Sequence, residues 1–182
     1  MKTQTHIVNG IYDTEKMYLT IGKDSVEKHF KPYRKYISRY NIEKESLVRL
    51  QNINGIPNLI DSDDGKKTLV MSKISGKTPA QLNRDNLKDL IVIVNKMLDA
   101  GVARHALPIR DIIVDDQNKL GLVDFERSTL RGSIIRLDWY VAKKVTHYHL
   151  YRLIAQFQPD LLSSKQALKL NFVTKVRQVF KR

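Results

Sequence analysis

RHALPIRDIIVDDQNKLGLVDFER, residues 104–127, is the stretch of sequence that decides the fold. It contains two short apolar runs, IIV and LGLV, separated by the polar turn formers DDQNK. This pattern predicts a β-hairpin with strands near residues 112–115 and 120–124. Asp111 precedes the first of these strands and Asp124 closes the second. An Asp at a strand end often does no more than close a turn, so the meaning of these two carboxylates depends on the rest of the chain.

The chain before this hairpin has the signals of a sheet with one helix. Alternating apolar and polar residues predict three strands. They lie within residues 6–12, 16–22 and 25–31. Apolar residues at helical spacing then predict a helix over residues 33–51. Two further strands are expected on either side of an Asp-Asp-Gly turn at residues 63–65, so residues 1–75 are expected to form a five-stranded sheet with one helix.

The chain after residue 75 is dominated by helical patterns. TPAQLNRDNLKDLIVIVNKMLDAG, residues 78–101, has apolar residues along one side, and Gly101 fits its C-terminal end. Two further helices are predicted over residues 133–157 and 163–182. A sheet-rich lobe followed by a helical lobe is the α+β pattern.

The composition excludes several classes of protein. The 182 residues include no cysteine, so disulfides, thiolate catalysis and cysteine-ligated metals are excluded. No apolar run approaches the roughly 18 residues of a membrane-spanning helix. The N-terminal MKTQTHIVNG has no apolar signal-peptide core. We therefore expect a cytoplasmic protein.

The net charge of +13 indicates an anionic partner. From residue 142 to residue 182 the chain has nine Lys or Arg and one acid, a net charge of +8. A second basic cluster, with no acid between its members, contains Lys28, Lys31, Arg34, Lys35 and Arg39. An anionic glycolipid or membrane surface fits this charge better than a nucleic acid, because no known nucleic-acid-binding motif is present. A protein substrate is the remaining expectation.

LVDFE, residues 122–126, together with this order of strands and helices, resembles the protein-kinase-like superfamily. In that family an Asp that ends a strand and precedes Phe binds the metal ion, which implies this role for Asp124. Among its members, the small bacterial kinases that phosphorylate sugars of lipopolysaccharide are the most similar. The resemblance covers about residues 5–160. It implies a compact protein-kinase-like fold with a small β-rich N-lobe, residues 1–75, and a helical C-lobe, residues 76–182.

Spacing extends the resemblance to the catalytic loop. The family's second metal ligand is an Asn thirteen residues before the metal-binding Asp, and here that position is Asp111. The family's catalytic Asp lies five residues before that Asn, and here that position is Ala106. Arg104-His105-Ala106 thus stands where the family has His-Arg-Asp. Three replacements for the missing base remain open, namely His105, Asp111 and Asp138, although Asp138 better resembles the family's buried helix Asp that anchors the loop.

The N-lobe contains the positions by which the family holds a nucleotide. Lys28 in VEKHF stands where a strand Lys binds the α and β phosphates, and Glu43 matches its helical partner in the pattern Glu-x-x-x-Leu-x-x-Leu. Glu45 is the competing choice. The segment after Met71 resembles the hinge, where backbone groups would meet an adenine ring. The Gly-rich phosphate loop is missing, because the first hairpin turn, NGIYDTEK, contains only Gly10.

The resemblance implies ATP and Mg²⁺ as cofactors and phosphoryl transfer as the activity. The implied acceptor is a sugar hydroxyl of a lipopolysaccharide-type glycan, with a Ser/Thr protein acceptor as the alternative. The basic clusters would then hold the protein at the inner face of the membrane. Ala106 and the missing Gly-rich loop favour a second hypothesis, a pseudokinase that binds a nucleotide or a partner without transfer. A basic nucleic-acid-binding module is the third hypothesis.

Overall fold

The structure, a computed structural model, describes residues 9–132 and 137–179, with side chains described as far as residue 175. Its first part contains β1 (Ile11–Asp13), β2 (Met17–Ile21), β3 (Ser25–Phe30), α1 (Tyr36–Arg49), β4 (Leu59–Asp63) and β5 (Thr68–Ser72). Its second part contains α2 (Arg84–Asp99), β6 (Val102–Arg104), β7 (Ile112–Val114), β8 (Leu120–Leu122), β9 (Ser128–Leu130), α3 (Leu137–Phe157) and α4 (Ser164–Val179). Residues 6–8, 133–136 and 180–182 of the predicted elements lie outside the described residues.

The five strands of the first part form one antiparallel sheet in the order β1-β2-β3-β5-β4. Strand β3 is central, with Lys28 opposite Leu19 of β2 and Leu69 of β5. Successive side chains of a strand point to opposite faces, so Lys28 and Phe30 share one face. Both are buried. The sheet therefore places one ammonium group on the side that carries the core.

Helix α1 covers this face of the sheet. Tyr40, Glu43 and Leu47 are all buried, and their spacing of three and four residues puts them on one side of the helix. The ring of Tyr40 meets that of Phe30 edge to face, with centroids 5.8 Å apart. Glu43 thus belongs to the inward face of α1, which sets its carboxylate towards β3.

The segment after β5 joins the sheet to the helical part. The backbone of Lys77 pairs with that of Val114, since each N–H donates to the other's carbonyl at 3.0 and 2.9 Å. Just before this bridge, Gly76 has a φ of 116°, and a Cβ there would lie 2.2 Å from the Val114 oxygen. Only glycine permits so close an approach, so this residue brings the β7–β8 hairpin against the end of the sheet.

Helix α2 ends near the predicted Gly101 but begins at Arg84, six residues after the predicted start at residue 78. Asn83 and Asn86 form a capping box at its start. Its inward face buries Leu87, Leu90 and Val94 among others, and Gly101 follows its end with a φ of 80°. The hairpin β7–β8 also follows the prediction. The short antiparallel pair β6–β9 was not predicted, because each strand has only three residues and so offers no alternation to detect.

The described residues form an α+β fold with one five-stranded antiparallel sheet, two short two-stranded sheets and four α-helices. The α+β prediction is confirmed. Among the helices of the described ranges, not one combines the length and the apolar character needed to cross a bilayer.

Candidate active site

Lys28 of β3 and Glu43 of α1 form a buried ion pair between the sheet and its covering helix. Lys28 Nζ lies 2.6 Å from Glu43 Oε2, and the two side chains are 5% and 2% exposed. A buried charge is tolerated only when it is paired and hydrogen-bonded. The competing residue, Glu45, instead accepts a hydrogen bond from Arg49 Nε at 2.8 Å. The structure therefore brings together the Lys and Glu that the sequence pattern pairs.

Asp124 meets the same ammonium group from the other side. It follows β8 with a φ of 68°, a left-handed conformation that Asp tolerates better than most residues. Lys28 Nζ donates to Asp124 Oδ1 at 2.9 Å, and the Asp124 side chain is 38% exposed. Unlike Glu43, this carboxylate is accessible from outside. It is thus placed to meet a bound group while still paired with Lys28.

A third carboxylate, Glu126, completes the cluster. Its Oε2 lies 3.4 Å from Lys28 Nζ and accepts a hydrogen bond from Arg39 at 2.6 Å. The carboxylates of Glu43, Asp124 and Glu126 can bring one oxygen each within 4.8 Å of one another. Sequence reasoning assigned no role to Glu126 and counted Arg39 only in the basic cluster expected to meet an anionic partner, whereas the structure pairs it with Glu126. The signal available for Glu126 was its place directly after Asp-Phe, where the family has Gly.

The charges of the cluster set the protonation of its members. Burial acts to lower the pKa of Lys28, but the carboxylates of Asp124, Glu43 and Glu126 raise it above its ordinary value, so Lys28 stays an ammonium. Burial raises the pKa of Glu43 to about 7, against the opposing effect of Lys28. Burial also acts to raise the pKa of Asp124, yet Lys28 holds it below the usual range. Asp124 is therefore the firmly ionised carboxylate of the site.

Asp111 lies beside Asp124 and is held by Arg104. Arg104 donates to Asp111 Oδ2 at 2.5 Å and to the Val123 carbonyl at 2.9 Å, and both charged residues are buried. Burial raises the pKa of Asp111; Arg104 acts to lower it and Asp124 to raise it. The backbone N–H of Val123 donates to the Asp111 carbonyl at 2.9 Å. Arg104 thus fixes the hairpin end that carries both predicted metal ligands.

The carboxylates of Asp111 and Asp124 fit a divalent cation. Oxygen ligands are what Mg²⁺ prefers, and Asp124 is accessible and ionised. The two side chains interact, since the Asp124 charge contributes to the raised pKa of Asp111. Asp111 Oδ2 is already engaged by Arg104, and Asp111 Oδ1 lies 3.7 Å from Arg110 Nε. Asp124 is therefore the better placed of the two predicted ligands.

The loop between β6 and β7 lacks a carboxylate at the position of the family's base. Ala106 is exposed. The neighbouring His105 is exposed too, and its Nε2 lies 2.7 Å from Thr129 Oγ1 of β9. Burial and the charge of Arg127 lower the pKa of His105, so its ring is neutral at pH 7. Of the three residues proposed as a replacement base, Asp111 interacts with Asp124, His105 is bonded to Thr129 of β9, and Asp138 is exposed at the start of α3.

The prediction that Asp138 is a buried residue bracing this loop is wrong as to burial. Asp138 is exposed in the first turn of α3, where its carboxylate accepts a hydrogen bond from the Trp139 N–H at 2.8 Å. An α3 side chain that contacts the backbone directly before this loop is Thr146, whose hydroxyl is buried and donates to the Arg104 carbonyl at 2.8 Å. Thr146 was missed because a helical Thr gives no sequence signal for such a contact.

Two predictions on the N-lobe have different outcomes. Met71 lies in β5, buried opposite Val26 and Leu59, directly before the segment that was interpreted as the hinge. Gly10, by contrast, precedes β1 and does not belong to the first hairpin turn. That turn is Thr14-Glu15-Lys16, and the Thr14 hydroxyl accepts the Lys16 and Met17 N–H groups. The β1–β2 turn therefore contains no glycine.

No known family profile and no curated protein matches the chain. Solved structures with a similar fold include three of WbdD. A co-crystal structure of WbdD with the kinase inhibitor LY294002 gives a TM-score of 0.54 at 16% identity, over 95% of this chain and 48% of that chain. Monomeric WbdD gives 0.52 at 17% identity, over 86% and 44% of the two chains. A further structure, described as the bifunctional kinase-methyltransferase WbdD, gives 0.51 at 17% identity, over 83% and 44%.

The chain spans about half the length of these solved chains. At such low identity the likeness bears on the fold alone. The chain has a kinase-like α+β fold.

Proposed function

We propose that the chain binds ATP with Mg²⁺ and transfers the terminal phosphoryl group to a hydroxyl acceptor. The observation that carries this proposal is Lys28, which is buried and held between Glu43 at 2.6 Å and Asp124 at 2.9 Å. A strand ammonium fixed by a helical carboxylate beside an accessible, ionised Asp is the arrangement that positions phosphates for transfer. Phosphoryl transfer depends mainly on such positioning and on charge stabilisation.

Each residue has one role in this proposal. Lys28 binds the phosphates, Glu43 orients Lys28, and backbone groups after Met71 bind the adenine ring. Asp124 and Asp111 hold the Mg²⁺, which would supply charge neutralisation on the phosphate oxygens. Asp124, which is accessible and ionised, would hold the cation while remaining close to Lys28.

Asp111 is the better candidate for the missing base, in which case Asp124 alone would hold the Mg²⁺, and His105 is the alternative base. A raised pKa brings a carboxyl group nearer to the operating pH, where a general base is most effective. The pKa of Asp111 is raised by burial, and Asp111 interacts with Asp124. His105 is neutral at pH 7 and could also accept a proton, but its Nε2 is engaged by Thr129.

The acceptor that we propose is a sugar hydroxyl of a lipopolysaccharide-type glycan, with a Ser/Thr protein acceptor second. This rests on the sequence resemblance and on the net charge of +13. A strongly basic protein gathers anionic substrates and anionic surfaces. We therefore place the reaction at the inner face of a membrane that carries the lipid-linked acceptor.

A pseudokinase that binds nucleotide without transfer is the second candidate. Ala106 cannot accept a proton, and Arg104 already occupies one oxygen of Asp111 at 2.5 Å. A guanidinium in that position supplies positive charge that a metal ion would otherwise bring. Under this alternative the site holds a nucleotide through Lys28 and Asp124, and Arg104 keeps Asp111 out of the chemistry.

Thermal unfolding with and without Mg²⁺ and ATP tests nucleotide binding. A ligand at 100 times its dissociation constant stabilises the folded state by about 2.7 kcal/mol, so the wild type should unfold at a higher temperature in millimolar Mg·ATP. Asp124→Asn should lose most of this gain, whereas Asp89→Asn, at an exposed residue of α2, should keep it. No shift for the wild type would sink both the kinase and the nucleotide-binding pseudokinase.

An assay of phosphate transfer then separates the phosphotransferase from the pseudokinase. It measures loss of the terminal phosphate from ATP with the wild type and a lipopolysaccharide core acceptor. Transfer that is abolished by both Asp124→Asn and Asp111→Asn supports the phosphotransferase. Nucleotide binding with no transfer to the glycan or to a generic Ser/Thr protein substrate supports the pseudokinase.

A further inference from the structure

Helices α3 and α4 expose large apolar side chains. On α4, Leu168 and Phe172 are each 69% exposed. They are four residues apart, so they lie on one side of the helix. Lys165 and Lys175 fall on the same side at spacings of three residues from Leu168 and Phe172. This side of α4 is therefore apolar in its middle and basic at its edges.

Helix α3 carries a matching stripe. Tyr140 and Val141 are more than half exposed, and Lys144 lies four residues after Tyr140 on the same side. Lys144 Nζ lies 4.3 Å from the centre of the Tyr140 ring, so the lysine stem covers part of the ring while its charge stays in water.

The two stripes are neighbours. Helix α3 packs against α4, and the charge of Lys169 on α4 acts on both Tyr140 and His147 of α3. Lys169 therefore lies beside the α3 stripe and next in sequence to Leu168. We call the surface formed by Tyr140, Val141, Lys144, Lys165, Leu168, Lys169, Phe172 and Lys175 the α3–α4 face.

The charge of this region is strongly one-sided. From residue 137 to residue 175 the chain has six Lys or Arg and two acids, Asp138 and Asp160. Asp160 is paired with Arg84 of α2. Described residues 161–175, which include the exposed side of α4, contain three Lys and no acid. An anionic occupant is therefore favoured electrostatically.

We propose that the α3–α4 face docks the protein on an anionic lipid bilayer, with Leu168 and Phe172 entering the headgroup region and the surrounding lysines meeting lipid phosphates. Helices that lie on membranes combine Leu, Phe and other apolar residues with Lys at the border of the apolar side. Exposed apolar side chains rimmed by charge also mark interaction surfaces generally.

A bilayer fits this face better than another polyanion. A nucleic acid would be met by Lys and Arg with stacking aromatics in a groove, whereas Leu168 and Val141 offer aliphatic groups that gain nothing from a nucleic acid. Bilayer binding through this face needs no nucleotide, so the docking proposal and the proposed phosphoryl transfer can fail separately.

Co-sedimentation of the full chain with vesicles tests the proposal. We expect binding to vesicles of phosphatidylcholine with phosphatidylglycerol, weakening with added salt, and little binding to phosphatidylcholine alone. Replacing Lys165, Lys169 and Lys175 with Gln should weaken binding about 100-fold, because each Lys near an anionic surface contributes about fivefold to affinity. The matched control replaces Lys23, Lys66 and Lys96, which are exposed elsewhere, and should weaken binding much less.

The apolar part is tested with a second pair of variants. Leu168→Asn with Phe172→Asn should weaken vesicle binding at least about tenfold, since apolar burial contributes to docking. The control, Ile60→Asn with Val92→Asn, removes two exposed apolar side chains from β4 and α2 and should leave binding unchanged. Circular dichroism confirms folding in all four variants.

Three outcomes would overturn the proposal. Equal losses for the two lysine triples would mean that only net charge is sensed. Unchanged vesicle binding for Leu168→Asn with Phe172→Asn would exclude insertion by this face. Dimerisation or binding to a random oligonucleotide that depends on the α3–α4 face, without vesicle binding, would assign it to a second copy of the chain or to nucleic acid.

Discussion

The end of the candidate site at the five-stranded sheet and the end at the β6–β7 loop differ in the charged groups that they contain. At the sheet end, Lys28 meets three carboxylates, at 2.6, 2.9 and 3.4 Å. At the loop end, Ala106 has no polar side chain and Asp111 is bound to Arg104. Under the proposed function, holding a nucleotide and transferring its phosphate are separate demands, and we assign the first to the sheet end. Changes there should affect stability and binding, whereas changes at the loop end should affect rate.

The largest expected effect is that of Lys28→Met on stability. Removing the ammonium leaves three carboxylates close together without their common partner, and breaking a buried ion pair in this way costs about 3–5 kcal/mol. We expect a loss of this size in the free energy of unfolding, measured by urea denaturation followed by circular dichroism. Lys28→Arg, which keeps the charge, should recover part of it.

Lys88→Met is the matched control for this comparison. Lys88 lies 3.2 Å from Asp85 on the surface of α2, and both side chains are more than half exposed. Exposed pairs contribute less than about 1 kcal/mol. A similar loss for Lys88→Met and Lys28→Met would contradict the view that the sheet end is a coupled buried cluster.

The next effect is a pH dependence caused by Glu43. Its pKa rises from 4.5 to about 7 on folding, with burial as the main cause. Between pH 4.5 and pH 7, Glu43 is ionised in the unfolded chain but still protonated in the folded protein. The stability that protonated Glu43 contributes is therefore complete below pH 4.5 and is lost as pH rises through 7. The loss amounts to roughly 3 kcal/mol.

The Gln side chain in Glu43→Gln cannot titrate, so the stability of this variant should lack the pH dependence caused by Glu43. We expect the stability of the wild type relative to Glu43→Gln to fall between pH 4.5 and pH 7.5, measured by urea denaturation at both. Glu45→Gln is the control, because that carboxylate is exposed beside Arg49. If the stability of the wild type relative to Glu43→Gln instead increases as pH rises, the ion pair with Lys28 affects the pKa of Glu43 more than burial does.

At the loop end, Ala106→Asp should increase the rate of phosphoryl transfer. A positioned general base contributes about 100-fold or more, which corresponds to about 3 kcal/mol of activation free energy. Ala106 is exposed, so the substitution should leave the free energy of unfolding nearly unchanged. The measurement is the initial rate of phosphate transfer or release with saturating Mg·ATP.

Ala106→Asn has nearly the same size and no base, and it should transfer no faster than the wild type. An equal rate for Ala106→Asp and Ala106→Asn would show that the loop register assigned from the sequence is wrong. It would also mean that Ala106 does not mark a missing base at the loop end of the candidate site.

Much of the fold could be predicted from local patterns. The sheet strands alternate, α2 has a capping residue and a glycine stop, and the β7–β8 hairpin has its turn formers. The pair β6–β9 could not be predicted, because VAR and STL are too short for a period and are joined by a contact across the intervening hairpin. The placement of Gly10 before β1 was likewise missed, since the hairpin turn lies four residues further along.

The candidate site was predictable only where spacing along the chain fixes it. Lys28, Glu43 and Asp124 each occupy a defined position in a local motif, and they do meet. The Arg39–Glu126 pair joins residues 87 apart, which only tertiary packing decides. Asp138 lies one turn before Ala142, the first buried residue of α3, so the resemblance to the family's helix Asp did not extend to its burial.

The smallest expected effect is that of His105→Gln on transfer, and it asks whether anything at the loop end replaces the missing carboxylate. The His105 ring is bonded to Thr129 through Nε2 at 2.7 Å, and Gln can retain that hydrogen bond. We expect less than about a threefold loss of rate, under 1 kcal/mol, with an unchanged pH profile. Asp111→Asn should lose far more. If His105→Gln instead abolishes transfer and removes a titration from the pH–rate profile, His105 is the base, and the loop end is as complete as the sheet end.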